Sequence, residues 1–262
     1  MALHFTNASV IDCATDDPQP FPATVVVEGG KISAIYEQDV QPALPPGSTT
    51  VDLQRRYLLP GLWESHCHPG GMIPDPSRVS AFETQAERTL RAACNTMSAL
   101  QVGVTALRSA GEASFIDVAL REAYANQQPA GLWKKGYDDK RLLGPRMFCA
   151  GCGIRVTGGH GANRRVETLF VQSALEADGA SALRKAARYV IKMGVDWVKL
   201  MITGGIAGIR EGMGESQMTF EEIEAACDTA HNKGLIAEFR QFPLKLPSLA
   251  VQAGLDVVEH GY

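Results

Sequence analysis

The first sixty residues alternate short apolar stretches with turn-forming residues. Three runs are rich in β-branched side chains: LHFTNASVID, TVVVEGGKISAIYE and TTVDLQRRYLLP. Such runs predict β-strands, and Gly29-Gly30 inside the second run predicts a tight hairpin turn. The proline-rich stretch QPALPPGS separates two of the runs. We therefore predict a small β unit over residues 1–60.

From Gly61 onward the pattern changes to strands and helices in alternation. Strands are predicted in GLWESH, GVTALRSA, PRMFCAG, VDWVKLMIT, LIAEF and DVVEHG. Helices are predicted over 79–101 and in FIDVALREAYAN, ALRKAARYVIKMG, TFEEIEAACDTAHNKG and LPSLAVQAG. The fourth of these helices starts with a capping box, Thr219 and Glu222. Because the units recur about every thirty residues, the pattern favours a parallel α/β fold over residues 61–262.

Two parallel architectures are compatible with this alternation. Its units suffice for an open doubly wound sheet or for most of a (β/α)8 barrel. A dinucleotide-binding sheet is disfavoured, because no G-x-G-x-x-G follows the first strand.

The composition narrows the classes of partner and compartment. The chain has 262 residues, 45% hydrophobic and 21% charged, with a net charge of −4. A weakly acidic chain of this kind predicts a globular protein without a nucleic-acid partner. No apolar run approaches the ~18 residues of a membrane span, and the first residues do not resemble a signal peptide. The six cysteines are therefore expected to be free thiols in a reducing compartment, which predicts a cytoplasmic protein.

Cys149 and Cys152 form a C-x-x-C pair, and this spacing is compatible with two different roles. In one, the first cysteine belongs to a buried strand and the second to the loop after it. In the other, the two form a redox or zinc pair. A zinc pair needs further ligands nearby, for which only His160 is a candidate.

Two histidines, His66 and His68, end the first strand of the α/β region. Residues i and i+2 of a strand point to one face, so the two imidazoles project together. In a (β/α)8 barrel the carboxyl ends of the strands carry the active site. Two neutral imidazoles are half of a ligand set for zinc or a similar ion. Two polar loop histidines are the alternative.

Lys199 lies in the apolar strand VDWVKLMIT, where a lysine is rare. A lysine in a core costs free energy unless it is paired, neutral or modified. A neutral amine reacts with CO2 to give a carbamate, whose two oxygens suit a bridge between metal ions. A lysine that snorkels from the strand end, or that forms an ion pair, is the alternative.

Two more histidines stand near predicted strand ends. His260 follows the sixth strand, and His160 lies in the glycine-rich stretch VTGGHGANRR. Glycines let the backbone approach a ligand closely, although a flexible, exposed His160 is equally compatible. The stretch TGGIAGIREGMGES after Lys199 is compatible with an anion-binding loop or a mobile lid. Arginines that could face a substrate carboxylate are Arg155, Arg164, Arg165 and Arg210.

Taken in order, these motifs resemble the amidohydrolase superfamily, in its imidazolonepropionase-like and Xaa-Pro dipeptidase-like branch. The similar segments are DLQRRYLLPGLWESHCHPGG, GVTALRSAG, GPRMFCAGCGIRVTGGHG, VDWVKLMITGG, SQMTFEEIEAACDTAHNKG and AGLDVVEHG. The resemblance implies a (β/α)8 TIM barrel, here incomplete with about six strands, and a small β-sandwich to which residues 1–60 contribute. It also implies one or two divalent metal ions, zinc being the expected one.

The resemblance also implies roles for individual residues. It makes His66, His68 and His260 metal ligands and Lys199 a carboxylated bridging lysine. His160 would face the substrate. The implied reaction is hydrolysis of an amide-type C–N bond in a dipeptide, N-acyl amino acid or cyclic amide, by a metal-activated hydroxide. The expected partner is thus a small amide or peptide, with a homo-oligomer as a further expectation.

The sequence departs from the family pattern in two places. Alignment by eye puts Phe239 and Gln241 where the family has the His-x-His of its fifth strand. The last two barrel strands, with the aspartate that accepts a proton, are expected beyond the end of this sequence, so the catalytic residue is unknown. We interpret the dissimilar stretch from Glu238 to Leu249 as a frame or splice difference. A rival hypothesis makes Glu238 an oxygen ligand through a β-bulge.

Two functions therefore remain open at this stage. The first is a metal-dependent amidohydrolase. The second is a catalytically impaired, C-terminally truncated fragment that acts as a binding or interaction module.

Overall fold

The computed structural model describes residues 2–37, 42–43, 45–71, 83–125, 142–162, 174–205, 212, 215–240 and 247–260. The chain divides into two compact units, Met1–Gly61 and Leu62–Tyr262. Among the described residues, no helix is both long and apolar enough to cross a membrane.

The first unit is a five-stranded sheet. Its strands are β1 (Ala2–Val10), β2 (Phe21–Glu28), β3 (Lys31–Glu37), β4 (Thr49–Asp52) and β5 (Tyr57–Leu58). The strand order is β3-β2-β1-β4, and β5 also pairs with β1. The β1–β2 and β2–β3 pairs are antiparallel, whereas β1 runs parallel to β4 and β5. The strands predicted for this unit are therefore present.

Local sequence explains the centre of this sheet. Buried and half-buried residues alternate along β1, as expected for a strand with one face on a core. The predicted hairpin turn is confirmed between β2 and β3, where Gly29 and Gly30 have φ of +57° and +77°. Two successive positive φ angles are what a tight two-residue hairpin turn needs, and glycine adopts them without strain.

The second unit alternates strands with helices, as predicted. Its strands are β6 (Leu62–Cys67), β7 (Val104–Ser109), β8 (Arg146–Cys149), β9 (Gly153–Arg155), β10 (Ala174–Glu176), β11 (Trp197–Met201), β12 (Ile236–Arg240) and β13 (Val257–Glu259). Its helices are α1 (Gln85–Gln101), α2 (Ile116–Tyr124), α3 (Ala180–Lys192), α4 (Phe220–His231) and α5 (Pro247–Gln252). Short 3-10 turns cover Pro69–Gly71 and Ala113–Phe115.

These strands form two parallel sheets, consistent with a partial barrel. The sheet orders are β6-β7-β8 and β10-β9-β11-β12-β13. The predicted third strand corresponds to β8, which pairs with β7, whereas β9, four residues later, pairs with β11. Strands β9 and β10 were not predicted, because three residues are too short to show a periodic pattern.

The starts of two helices follow from their capping boxes. Thr219 and Glu222 form the predicted box at the start of α4. The predicted start of α1 at residue 79 falls outside the described residues, but Glu83 and Thr84 are not helical. A second capping box, Thr84 with Glu87, begins the helix at Gln85 instead. The apolar periodicity upstream of Thr84 therefore extended the prediction too far.

Candidate metal centre

His66 and His68 lie at the carboxyl end of β6, and their rings form the first half of the candidate site. The ring centroids are 5.4 Å apart in an edge-to-face arrangement. Nδ1 of His68 lies 2.6 Å from the carbonyl oxygen of Gly111, just after β7. Because a carbonyl only accepts, this nitrogen carries the proton, and in the neutral imidazole the lone pair is then on Nε2. That tautomer and that second contact are typical of a metal-binding histidine.

The turn that follows the two histidines is held by a buried carboxylate that sequence reasoning missed. The backbone N–H of Gly70 donates to Oε2 of Glu112 at 2.6 Å, and Nε of Arg88 donates to Oε1 at 2.8 Å. A side chain on Gly70 would place its Cβ 2.8 Å from both Glu112 and Arg88. Glycine at this position therefore lets the turn approach the carboxylate closely.

His66 is paired with a carboxylate from the other end of the fold. Its Nδ1 lies 2.7 Å from Oε2 of Glu259, the last residue of β13. Burial, assisted by the nearby charge of Lys199, lowers the pKa of His66 to about 4. The imidazole is therefore neutral at pH 7 and donates its Nδ1–H to the carboxylate. Burial opposes ionisation of Glu259, but the contacts with His66, Lys199 and Arg108 hold its pKa below the usual value.

His260 is the third imidazole of this group. Its ring centroid is 4.7 Å from that of His66, so His66 contacts the rings of both His68 and His260. The backbone of His260 has φ of +58°, a left-handed conformation that is uncommon for a residue other than glycine. The three predicted histidine ligands are thus brought together by two different sheets.

Lys199 is buried, with 2% of its surface exposed, and lies in an ion-pair network. Its Nζ is 3.3 Å from Oε1 of Glu238, which is fully buried. Arg108 pairs with the other oxygen of Glu238 and, at 2.8 Å, with Glu259. The guanidinium of Arg108 also lies 4.4 Å above the centroid of the Trp197 ring. The ion-pair alternative for Lys199 is therefore the one that the structure contains.

The pairing of β12 shows which of its residues lies beside Lys199. Strands β11 and β12 pair continuously, and Lys199 stands opposite Glu238 while Leu200 stands opposite Phe239. Glu238, and not Phe239, therefore occupies the strand position level with Lys199. The β-bulge that the rival hypothesis required is unnecessary, because the regular register already places Glu238 beside Lys199. Gln241 lies outside the described residues.

The donor atoms fit a divalent ion. One ligand atom from each of His66, Glu238 and Glu259 lies within 4.8 Å of the others. Ligand atoms about 2 Å from a common ion lie within about 4 Å of one another, so small side-chain rotations would close this set. Mixed imidazole and carboxylate donors suit zinc and similar transition metals.

Sequence reasoning missed Arg108 and Glu259, although each is a charged residue in an apolar strand, the signal that identified Lys199.

His160 follows β9 and is buried, with 6% of its surface exposed, so the flexible, exposed alternative is wrong. Its backbone N–H donates to Oε1 of Gln217 at 2.9 Å, and its carbonyl accepts from Arg155 at 3.5 Å. Its ring lies against Gly205, where an added Cβ would be 2.1 Å from the ring carbon Cε1. Arg155 is itself buried and pairs with Glu176 at 3.1 Å.

Several predicted features lie wholly or partly outside the described residues. These are Arg164, Arg165, Arg210 and most of the glycine-rich stretch after Lys199. The C-x-x-C pair is described: Cys149 and Cys152 are free, buried thiols. Burial raises the pKa of both thiols, which suits the structural reading of this pair and disfavours a reactive thiolate.

A cavity adjoins the two histidines of β6. It has a volume of about 340 Å³ and is lined by Glu64, His66, Cys67, His68, Gly71, Thr96, Ala99, Val104 and Leu107. A larger cavity of about 630 Å³ is lined by residues of α3 and α4 and the turn after α4. None of the predicted site residues lines the larger cavity, whereas His66 and His68 line the smaller one.

Several known proteins are similar to this chain in sequence or in structure. No protein-family model matches the chain. An ochratoxinase from Aspergillus niger is 25% identical over 93% of the chain. The chain spans about half the length of that curated relative, 52%. A crystal structure of an Xaa-Pro dipeptidase with bound methionine superposes with a TM-score of 0.79 at 24% identity, covering 99% of this chain and 61% of the dipeptidase.

The crystal structure of the A. niger ochratoxinase superposes with a TM-score of 0.74 at 22% identity, over 99% of this chain and 60% of the other. The sequence similarity to ochratoxinase thus covers most of the chain, and the solved structures share the parallel α/β architecture. In the order of its motifs and in its partial barrel, the chain is therefore similar to proteins of the amidohydrolase superfamily.

Proposed function

We propose that this chain carries the metal centre of a hydrolase that cleaves amide-type C–N bonds. The single observation that carries the proposal is the convergence of His66, His68 and His260, at the carboxyl ends of parallel strands, with Glu238 and Glu259 of β12 and β13. The proposed substrates are dipeptides, N-acyl amino acids or cyclic amides. We further infer that the two parallel sheets are about six strands of a (β/α)8 barrel, and that the first unit belongs to a β-sandwich.

In this proposal His66, His68 and His260 hold a divalent ion, with zinc the expected one and Lys199 beside them. Such an ion, when bound, activates water and polarises the carbonyl of the substrate. Two features of the protein favour binding of this ion. Gly111 fixes the tautomer of His68, and burial keeps His66 neutral so that a ring nitrogen can act as a ligand.

His160 is the residue that we assign to the substrate side. It is buried against Gly205, in the segment that leaves the carboxyl end of β11. Its contacts with Gln217 and Arg155 hold the loop backbone, so that the imidazole is presented from a fixed support. In this role His160 orients the substrate by hydrogen bonding.

A reducing compartment such as the cytoplasm suits the free, buried thiols.

One observation favours a second candidate, a binding module without turnover. Arg108 and Lys199 already form ion pairs with the carboxylates of Glu238 and Glu259, so the charges of these residues are balanced without a metal ion. An ion would have to compete with these two cations for the carboxylate oxygens. The second candidate therefore predicts weak metal binding and no hydrolysis.

Metal analysis joined to a substrate screen separates the two candidates. The purified chain would be dialysed against zinc, assayed for metal content, and tested on dipeptides and N-acyl amino acids. We expect about one or two ions per chain and a strong loss of metal in His66→Ala and His68→Ala. His231→Ala is the matched control, because His231 pairs with Asp256 in another part of the unit. Equal metal content in all variants, without turnover, would contradict the proposal.

A further inference from the structure

We propose that Glu238 supplies the anionic ligand of the metal centre, in the place where the family resemblance puts a carbamate on Lys199. The inference rests on the proposed metal centre and names the group that completes it. It also assigns Lys199 a different role, that of a positioning residue which orients Glu238.

The register of the sheet places the two side chains together. The five residue pairs of β11 and β12 run without interruption from Trp197–Ile236 to Met201–Arg240. In a parallel sheet, residues that stand opposite each other project to the same face. Lys199 and Glu238 are such a pair, and their Nζ and Oε1 atoms are 3.3 Å apart.

The space beside the lysine is already filled by a carboxylate. Lys199 is 2% exposed and Glu238 is fully buried, so their ion pair compensates charge inside the protein. A carbamate on Nζ would place a second anion against Glu238. Like charges at such a distance in a buried site repel strongly. The pairing thus disfavours the modification that the sequence alone suggested.

Glu238 has the ligand properties that a carbamate would bring. It offers two oxygens and one negative charge, and it shares the three-residue ligand cluster with His66 and Glu259. Lys199 holds one Glu238 oxygen from the neighbouring strand. The second oxygen faces Arg108, which also contacts Glu259. Two cations therefore orient the two carboxylates of the cluster.

Zinc binding measured with and without bicarbonate tests this assignment. The full chain would be stripped with a chelator, titrated with Zn²⁺ in CO2-depleted buffer, and titrated again after addition of ¹³C-bicarbonate. We expect the same affinity in both buffers, since Glu238 needs no modification to act as a ligand. Glu238→Gln should weaken zinc binding at least tenfold. Lys199→Arg keeps a cation beside Glu238 but cannot form a carbamate, and it should retain zinc within a few fold.

Circular dichroism and thermal unfolding would establish that each variant is folded. If Glu238→Gln does not fold, because it leaves the buried Lys199 with a neutral partner, the double variant Lys199→Met with Glu238→Gln removes both charges of the pair, while Arg108 keeps its ion pair with Glu259. That double variant should fold and should bind zinc as weakly as expected for Glu238→Gln.

The outcomes separate the inference from the proposed function. Bicarbonate-dependent zinc binding, a ¹³C carbamate signal, or unchanged affinity in Glu238→Gln would overturn the role of Glu238 and leave the metal centre standing. Absence of zinc binding in the wild type under both conditions would overturn the metal centre itself, and this inference with it.

Discussion

Replacement of Asp117 by asparagine should change how the stability of the protein depends on pH. Asp117 lies in the first turn of α2 and is fully buried. Its carboxylate accepts hydrogen bonds from the backbone N–H groups of Val118 at 2.9 Å and Gly151 at 3.0 Å. Burial nevertheless dominates and raises its pKa from 3.8 to about 6. The folded protein therefore holds the proton more tightly than the unfolded chain.

The sign and size of the effect follow from linkage. Below about pH 4 the Asp117 carboxyl is neutral in both states, and above about pH 6 it is charged in both. Between these values only the unfolded chain loses the proton, so stability falls as the pH rises. The pKa shift from 3.8 to about 6 corresponds to a loss of about 3 kcal/mol across this window, at 1.36 kcal/mol per unit. Asp117→Asn cannot ionise and should lack this loss.

Urea unfolding at pH 4, 5, 6 and 7 measures the effect as the difference between wild type and variant. The variant loses a hydrogen-bond acceptor at every pH, which shifts its free energy of unfolding by a constant amount. Ionisation of Asp117 is therefore measured by how the difference in free energy between wild type and variant changes with pH. Asp178→Asn is the matched control. Hydrogen bonds from Thr157 lower the pKa of the Asp178 carboxyl, so its contribution is lost as the pH falls. Parallel pH profiles for wild type and Asp117→Asn would refute the reasoning.

Three other predictions concern the candidate site. Gly205→Ala would place a Cβ 2.1 Å from the His160 ring, and we expect at least a tenfold loss of kcat/KM with unchanged metal content. An unchanged kcat/KM would contradict a position of His160 on the substrate side. Glu112→Gln removes the buried charge opposite Arg88 and should cost about 3 kcal/mol of stability in urea unfolding; a cost below about 0.5 kcal/mol would contradict the anchoring role. Zinc at one hundred times its Kd should stabilise the wild type by about 2.7 kcal/mol, an effect that a chelator reverses; equal stabilisation of His66→Ala would exclude His66 as a ligand.

Much of the fold could be predicted because it depends on short-range pattern. The Gly29-Gly30 turn, the capping box at Thr219 and the apolar strands are set by residues within a few positions of each other. The same locality explains the wrong start of α1. The apolar periodicity continued upstream of the helix, while the competing capping box at Thr84 was not recognised.

The candidate site was predicted in part, for a related reason. His66, His68 and Lys199 could be selected because their residue types are unusual for the strands that contain them. The loop support from Glu112 left no local signal, because its partners Gly70 and Arg88 are 42 and 24 residues away.

The sequence by itself determined most of the strands and helices and where the three candidate histidine ligands lie on them. Tertiary structure alone decided which charged groups meet. The register of β11 and β12 pairs Lys199 with Glu238 across 39 residues, and the approach of β6 and β13 joins His66 to Glu259 across 193 residues. Hydrophobic periodicity specifies the face of an element but not its neighbour. The ligand set of the site therefore depends on strand pairing, which only the folded chain establishes.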